Sequence, residues 1–147
     1  MNAVAGVALG PIHHVGYVVA DLDAALARFA ATFAVTVTAR EVMHEQGVEA
    51  LMCVVGSGAV ELISPLDREG AIARFMAKRG EGFHHVAFAV PDIEASLADL
   101  AALGAELIDR RGRRGLGGHT VAFLHPRSSL GVLTELIEDT HHADHGG

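Results

Sequence analysis

Cysteine, proline and basic residues are all scarce in this chain of 147 residues. It has one cysteine and four prolines, and 18 acidic residues outnumber 11 lysines and arginines, which gives a formal charge of −7. The single cysteine, Cys53, excludes an internal disulfide, and the alternating apolar residues around it predict a buried strand thiol. The acidic balance disfavours nucleic acid and anionic membrane surfaces as partners.

Long apolar runs are lacking as well. No stretch approaches the length that spans a bilayer, and residues 1–10 are weakly apolar without a positively charged segment. We therefore expect a cytoplasmic protein with no membrane partner. Half of the residues are apolar, which at this length is enough to bury a core. The polar, histidine-rich tail, residues 139–147, is predicted to be disordered, and it can capture metal adventitiously.

The sequence contains two copies of one pattern. Residues 12–23 align with residues 83–94 at an offset of 71, and both segments carry two consecutive histidines. The copies also share a Glu-Leu-Ile motif near their ends, which begins at Glu61 in the first copy and at Glu135 in the second. Because self-similarity of this kind marks repeated structural units, the sequence predicts two tandem modules.

Each copy is predicted to form a strand, a helix and three more strands. Asp21 and Asp92 are placed to cap the helices, and apolar residues recur behind them at helical spacing. The predicted elements are strands 12–19, 35–42, 48–55 and 59–64 with helix 22–33, and strands 83–90, 105–110, 119–125 and 131–137 with helix 93–103. The modules occupy residues 11–64 and 83–138, and the linker 65–82 holds a short helix.

Alternation along the first strand of each copy assigns the histidines to faces. His13 lies on the bulky face that a crossing helix would cover, and so does its counterpart His84, so we interpret both as structural. His14 and His85 lie on the opposite face. Their neighbours two residues on are small, which leaves room above the sheet for a bound group.

Glu61 and Glu135 each sit inside an apolar strand, where an isolated carboxylate is costly to desolvate. A lone histidine or glutamate on a strand is more often a hydrogen-bonded structural residue than a ligand. Four such residues at repeat-equivalent positions change that balance, because two imidazoles and two carboxylates can converge on one divalent cation. We therefore expect His14, Glu61, His85 and Glu135 to bind one metal ion.

These motifs resemble the vicinal oxygen chelate superfamily, which has the glyoxalase fold, and most of all its methylmalonyl-CoA epimerases. The resemblance covers roughly residues 11–138. The Phe-Leu-His-Pro block followed by Gly-Val-Leu and an acid is more particular to the epimerases than the His-Val-Gly start. The segments that carry the resemblance are residues 45–48, 60–66, 80–88, 123–128 and 131–136.

The resemblance implies an α+β fold in which two tandem βαβββ modules form a curved mixed sheet around a metal site. It implies the same four ligands for Co²⁺, Mn²⁺, Ni²⁺ or Zn²⁺, and epimerisation of (R)- and (S)-methylmalonyl-CoA through loss of the C2 proton to a metal-stabilised enolate. Glu135 is the candidate base. Some relatives carry a second acid where this chain has Ala50, and adjacent Glu49 points to the other face. Glu61 or a metal-bound water stays open as the second base.

An acyl-CoA thioester partner would need cations for its phosphates. Arg110, Arg111, Arg113 and Arg114 form a dense basic cluster, and Arg127 is a separate candidate; a solvated loop is the alternative interpretation. A homodimer is expected from the resemblance and from the apolar composition.

Three other functions stay open at this stage. A glyoxalase I type lactoylglutathione lyase also needs a metal and a carboxylate base. A metal-free small-molecule binding module would keep the fold and usually lose the ligands, all of which are present here. A ring-cleaving dioxygenase would use two histidines and one glutamate, and the fourth ligand argues against it.

Overall fold

The computed structural model describes residues 5–139, so the tail prediction falls almost wholly outside the described residues. Within them the βαβββ order occurs twice, separated by one helix. The elements are β1 (Ile12–Val18), α1 (Leu22–Thr32), β2 (Thr36–Met43), β3 (Val48–Val55), β4 (Gly58–Pro65), α2 (Ala71–Arg79), β5 (Gly82–Val90), α3 (Ile93–Ala102), β6 (Arg113–Arg114), β7 (Thr120–Leu124) and β8 (Thr134–Glu138). The predicted α+β class, with the βαβββ order occurring twice, is confirmed. None of the helices in this part of the chain has the length and apolarity to cross a membrane.

The chain divides into two compact units. One comprises residues 14–85 and is called here the continuous unit; the other comprises the residues up to 13 with those from 86 onward and is called the split unit. In the continuous unit the strand order is β2-β3-β4-β1. β1 and β4 are parallel, whereas β3 is antiparallel to both of its neighbours. Parallel pairing of the first and last strands closes each βαβββ module.

Helix α1 begins where the sequence predicts. The carboxylate of Asp21 accepts a hydrogen bond from the Ala24 N–H at 2.9 Å and so satisfies one of the free donors of the first turn. Leu22 packs with Leu51 and Leu62 in a buried cluster beneath the helix. Burying a leucine side chain contributes roughly 1.5–3 kcal/mol, so this face of the sheet is occupied by core packing.

The split unit repeats the arrangement with strand order β5-β8-β7-β6 and parallel pairing of β5 with β8. Asp92 caps α3 through the Ala95 N–H at 3.0 Å. Ile93, Leu97 and Leu136 form the cluster between α3 and the strands. The same face of the repeated sheet is therefore covered in both units.

The strand predicted at 105–110 is wrong. Within that segment one isolated β-bridge forms, from Leu107 to Leu124, without a continuous ladder, and β6 lies later, at Arg113–Arg114. The Phe123 carbonyl accepts from both Ile108 N and Asp109 N, while the Asp109 carboxylate accepts from Phe123 N. In a regular strand a main-chain carbonyl would accept the hydrogen bond from the Phe123 N–H, whereas here the Asp109 side chain accepts it.

Candidate functional site

His14 and His85 lie where alternation predicts, on the face of the sheet opposite the helix. Val15 and Tyr17, on either side of Gly16, pack against the cluster beneath α1, so His14 points away from it. Both imidazoles are almost completely buried, with exposures of 2% for His14 and 1% for His85. Burial of two polar rings requires hydrogen-bond partners or a bound group.

The two histidine rings meet edge to face. Their Nε2 atoms are 3.2 Å apart, and their planes are inclined by 88°. Between two neutral imidazoles this distance requires one nitrogen to donate and the other to accept. Each histidine thus directs its own Nε2 atom toward the other's, which is the arrangement expected of two ligands of one metal ion.

Gly16 makes room for this contact. A Cβ at position 16 would lie 2.1 Å from Cε1 of the His85 ring. The imidazole of His85 thus lies against the bare backbone of β1, which explains the small residue expected at this position.

Glu61 brings a carboxylate to the same point. On β4 it is in register with Gly16 of β1 and Met52 of β3, which places it on the histidine face. Its Oε1 lies 3.6 Å from His85 Nε2, and its side chain is 11% exposed. The distance is too long for a direct hydrogen bond but suits two groups around a common centre. The continuous unit therefore assembles three predicted ligands, a nitrogen and oxygen donor set that suits a borderline divalent cation.

Glu135 occupies the matching position in the split unit. On β8 it is in register with Ala87 of β5, as Glu61 is with Gly16. Leu136 packs beneath α3, so Glu135 points to the other face, and its exposure is 5%. The two glutamates are thus equivalent in strand, register, face and burial.

Glu49 is directed away from this face, as predicted. Its carboxylate accepts two hydrogen bonds of 3.3 Å from Arg40, whose Nη1 also lies 2.6 Å from Asp23 on α1. The hydrogen bond from Arg40 holds the pKa of the Asp23 carboxyl below its usual range, and the same pairing raises the pKa of Arg40. Ala50 faces the histidine side, so the continuous unit has no acid at that position.

Three residues near the site were missed in the sequence. Met52 is in register with Glu61, and Glu41 of β2 is in register with Ala50, which places both on the histidine face. His84 was interpreted as purely structural, yet its Nδ1 lies 2.9 Å from His85 Nδ1. Alternation could have assigned faces to Met52 and Glu41 only after the register between the strands was known.

One arginine of the predicted basic cluster, Arg113, and the separate candidate Arg127 are each paired with an acid. Arg113 Nε lies 3.2 Å from Asp109, and Arg127 Nη1 lies 3.7 Å from Glu106. Arg110 and Arg111 are exposed and line an open groove between α3 and the loop that follows it. These two arginines are the better placed to meet an anionic group.

Comparison with known proteins agrees with this geometry. Residues 13–123 match the family model of the glyoxalase/bleomycin resistance protein/dioxygenase superfamily. The ethylmalonyl-CoA/methylmalonyl-CoA epimerase of Cereibacter sphaeroides is 34% identical over 131 residues, which covers 87% of this chain and 97% of the relative. The uncharacterized protein YqjC of Bacillus subtilis is 33% identical over 127 residues, which covers 86% of this chain and 91% of the relative.

Solved structures resemble the chain along most of its length. A methylmalonyl-CoA epimerase in complex with methylmalonyl-CoA and NH4+ superimposes with a TM-score of 0.86 at 35% identity, covering 92% of this chain and 98% of that one. The α+β fold is thus that of the glyoxalase-fold epimerases. The chain belongs to the glyoxalase/bleomycin resistance protein/dioxygenase superfamily, and its relatives include methylmalonyl-CoA epimerases.

Proposed function

We propose that this protein is a metal-dependent methylmalonyl-CoA epimerase, with His14, Glu61, His85 and Glu135 as its metal ligands. The observation that carries the proposal is the convergence of three donor atoms on one point: His85 Nε2 lies 3.2 Å from His14 Nε2 and 3.6 Å from Glu61 Oε1. Glu135 is included because it occupies, in the split unit, the position that Glu61 occupies in the continuous unit. The proposed reaction is supported by a relative that is named ethylmalonyl-CoA/methylmalonyl-CoA epimerase.

The donor atoms present fit such an ion. Two imidazole nitrogens and two carboxylates suit divalent cations of the first transition series, and the carboxylates balance the charge of the ion. When bound, the cation supplies Lewis-acid stabilisation of the negative charge that develops on the thioester oxygen. Elemental analysis of the purified protein would identify the ion.

Glu135 is the proposed general base. Epimerisation requires a base that removes the proton from C2 of the substrate and a proton that returns to the other face. C2 is the carbon between the substrate's free carboxylate and its thioester carbonyl. The Glu135 side chain is buried. In a site from which water is excluded, a charged group interacts more strongly with its surroundings than it does in water. Such surroundings are typical of residues whose proton affinity is tuned for catalysis.

The coenzyme A moiety is proposed to be held outside the buried site. Arg110 and Arg111 are exposed beside α3, and guanidinium groups bind phosphates through paired hydrogen bonds. We propose the cytoplasm as the location, where acyl-CoA thioesters are available as substrates.

Deuterium exchange at C2 of methylmalonyl-CoA in D2O tests the reaction. The wild-type protein reconstituted with metal should exchange this proton. Glu135→Gln keeps the size of the side chain and one oxygen, so it should retain the ion and lose on the order of 10²- to 10⁴-fold in exchange rate, the usual cost of a lost general base. Glu49→Gln is the matched control, because Glu49 faces the other side of the sheet and should exchange at the wild-type rate.

Three further outcomes separate the parts of the proposal. Metal content unchanged in His14→Ala and His85→Ala would contradict the ligand assignment. A wild-type protein that leaves methylmalonyl-CoA unchanged but isomerises a glutathione hemithioacetal would be a lactoylglutathione lyase. Wild-type exchange rates in Glu135→Gln with metal bound would assign the base to another residue.

A further inference from the structure

We infer that His84 is a positioning residue that fixes which nitrogen of His85 is available to the metal. The inference rests on the proposed metal site and adds to it a residue outside the four ligands. It is carried by contacts within the continuous unit alone.

The His85 ring is held from both ends. Its Nδ1 lies 2.9 Å from His84 Nδ1, and its Nε2 lies 3.2 Å from His14 Nε2 and 3.6 Å from Glu61 Oε1. The Nδ1 edge of the imidazole thus contacts His84, and the Nε2 edge faces the other two proposed ligands of this unit. The ring cannot turn over without losing both sets of contacts.

The proton on His85 follows from this arrangement. A neutral imidazole has one N–H donor and one bare nitrogen, and a nitrogen that binds a metal must be bare. With Nε2 toward the site, His85 must carry its proton on Nδ1 and donate it to His84. His84 then accepts through Nδ1. Metal-binding histidines usually donate their second N–H to a neighbouring acceptor, and here a histidine ring fills that role.

Helix α2 packs against the His84 ring through Phe75. The rings of Phe75 and His84 meet edge to face with centroids 4.7 Å apart, and the guanidinium of Arg79 lies 5.4 Å from the centre of the Phe75 ring. The predicted linker helix therefore has a defined contact with the residue next to a proposed ligand. Its packing limits the rotation of the His84 ring.

Zinc affinity provides the first test. His84→Phe keeps an aromatic ring against Phe75 but removes the acceptor, whereas His84→Asn keeps an acceptor at the position of Nδ1. We expect His84→Phe to weaken Zn²⁺ binding by about 10- to 100-fold and His84→Asn to restore most of the loss. The affinities are measured by competition with a chromophoric chelator, in full-length chains whose tail histidines are replaced by asparagine.

His44→Asn is the matched control, because it removes an exposed histidine from the same unit and should leave the affinity unchanged. Thermal unfolding without metal should give similar midpoints for all variants. Equal losses in His84→Phe and His84→Asn would show that His84 acts through packing and would overturn the inference. Wild-type affinity in His84→Phe would overturn it too, with the metal site intact. A wild-type protein without zinc affinity would overturn both.

Nitrogen NMR of the zinc-loaded protein gives a readout that packing alone would not move. In the wild type and in His84→Asn, the proton of His85 should reside on Nδ1 and exchange slowly with solvent. In His84→Phe that proton should exchange faster, because its acceptor is gone. A His85 proton found on Nε2 in the loaded wild type would refute the assignment.

Discussion

Replacing Gly16 with alanine tests the candidate site where the backbone of β1 meets the His85 ring. The new Cβ would lie 2.1, 2.4 and 2.8 Å from Cε1, Nδ1 and Nε2 of His85. To restore a carbon contact of ~3.5 Å, the ring must move by roughly 1.4 Å. The His85 side chain is 1% exposed and both of its nitrogens are in contact with other histidines. The ring therefore cannot shift that far without displacing its neighbours.

Such a displacement exceeds what a metal site tolerates, since ligand distances are kept within about 0.2 Å. We therefore expect Gly16→Ala to lose most of its bound metal. Overpacking in a close-packed interior costs about 1–3 kcal/mol, and at this chain length each kcal/mol lowers the melting temperature by roughly 2–4 °C.

Gly58→Ala is the control, because a Cβ at position 58 meets no atom within 4 Å and its backbone needs no positive φ. The assays are elemental analysis after dialysis and thermal unfolding of the metal-free protein. If Gly16→Ala keeps a full equivalent of metal and melts with the wild type, the His85 ring does not lie where the structure places it.

Four further predictions follow. Burial raises the pKa of the Cys53 thiol, so the folded protein should resist thiol reagents at pH 7–8 and react only as it unfolds; rapid labelling would contradict this. Leu130 is the one non-glycine residue with positive φ, at 56°, among residues 5–139, and Leu130→Asn should raise the stability by up to about 1 kcal/mol in chemical unfolding. The lowered pKa of Asp23 stabilises the fold above pH ~4, so Asp23→Asn should lower stability at neutral pH and converge with the wild type as the pH falls through the folded pKa. Light scattering at micromolar concentration should give the mass of a homodimer.

The internal repeat was the main guide to the candidate site. Equivalent positions singled out His14, Glu61, His85 and Glu135 together, and period-two alternation gave the face of each histidine. These inferences depend on local geometry and on comparing the chain with itself. The helix caps at Asp21 and Asp92 were predictable for the same reason, because a cap is decided within one turn.

Pairing between distant segments was harder to predict. The false strand at 105–110 has a suitable composition, but the Asp109 carboxylate, not the main chain, bonds to the Phe123 N–H. The contact between the His84 and His85 rings could not be predicted from the sequence for another reason. Alternation sends neighbouring Cβ atoms to opposite faces, whereas the side-chain torsions decide where an imidazole ends, and these depend on partners such as Phe75.

The parallel pairing of β1 with β4 has a consequence for folding kinetics. Gly16 and Glu61 face each other in register although 45 positions separate them in sequence (61 − 16 = 45). Closing a flexible loop of that length costs roughly 3 kcal/mol in chain entropy, so this pair should form after the hairpin of β3 and β4. His14 and Glu61 lie on these two strands. The donor atoms therefore come together late in folding, and an unfolded or partly folded chain offers a metal ion no assembled site to bind.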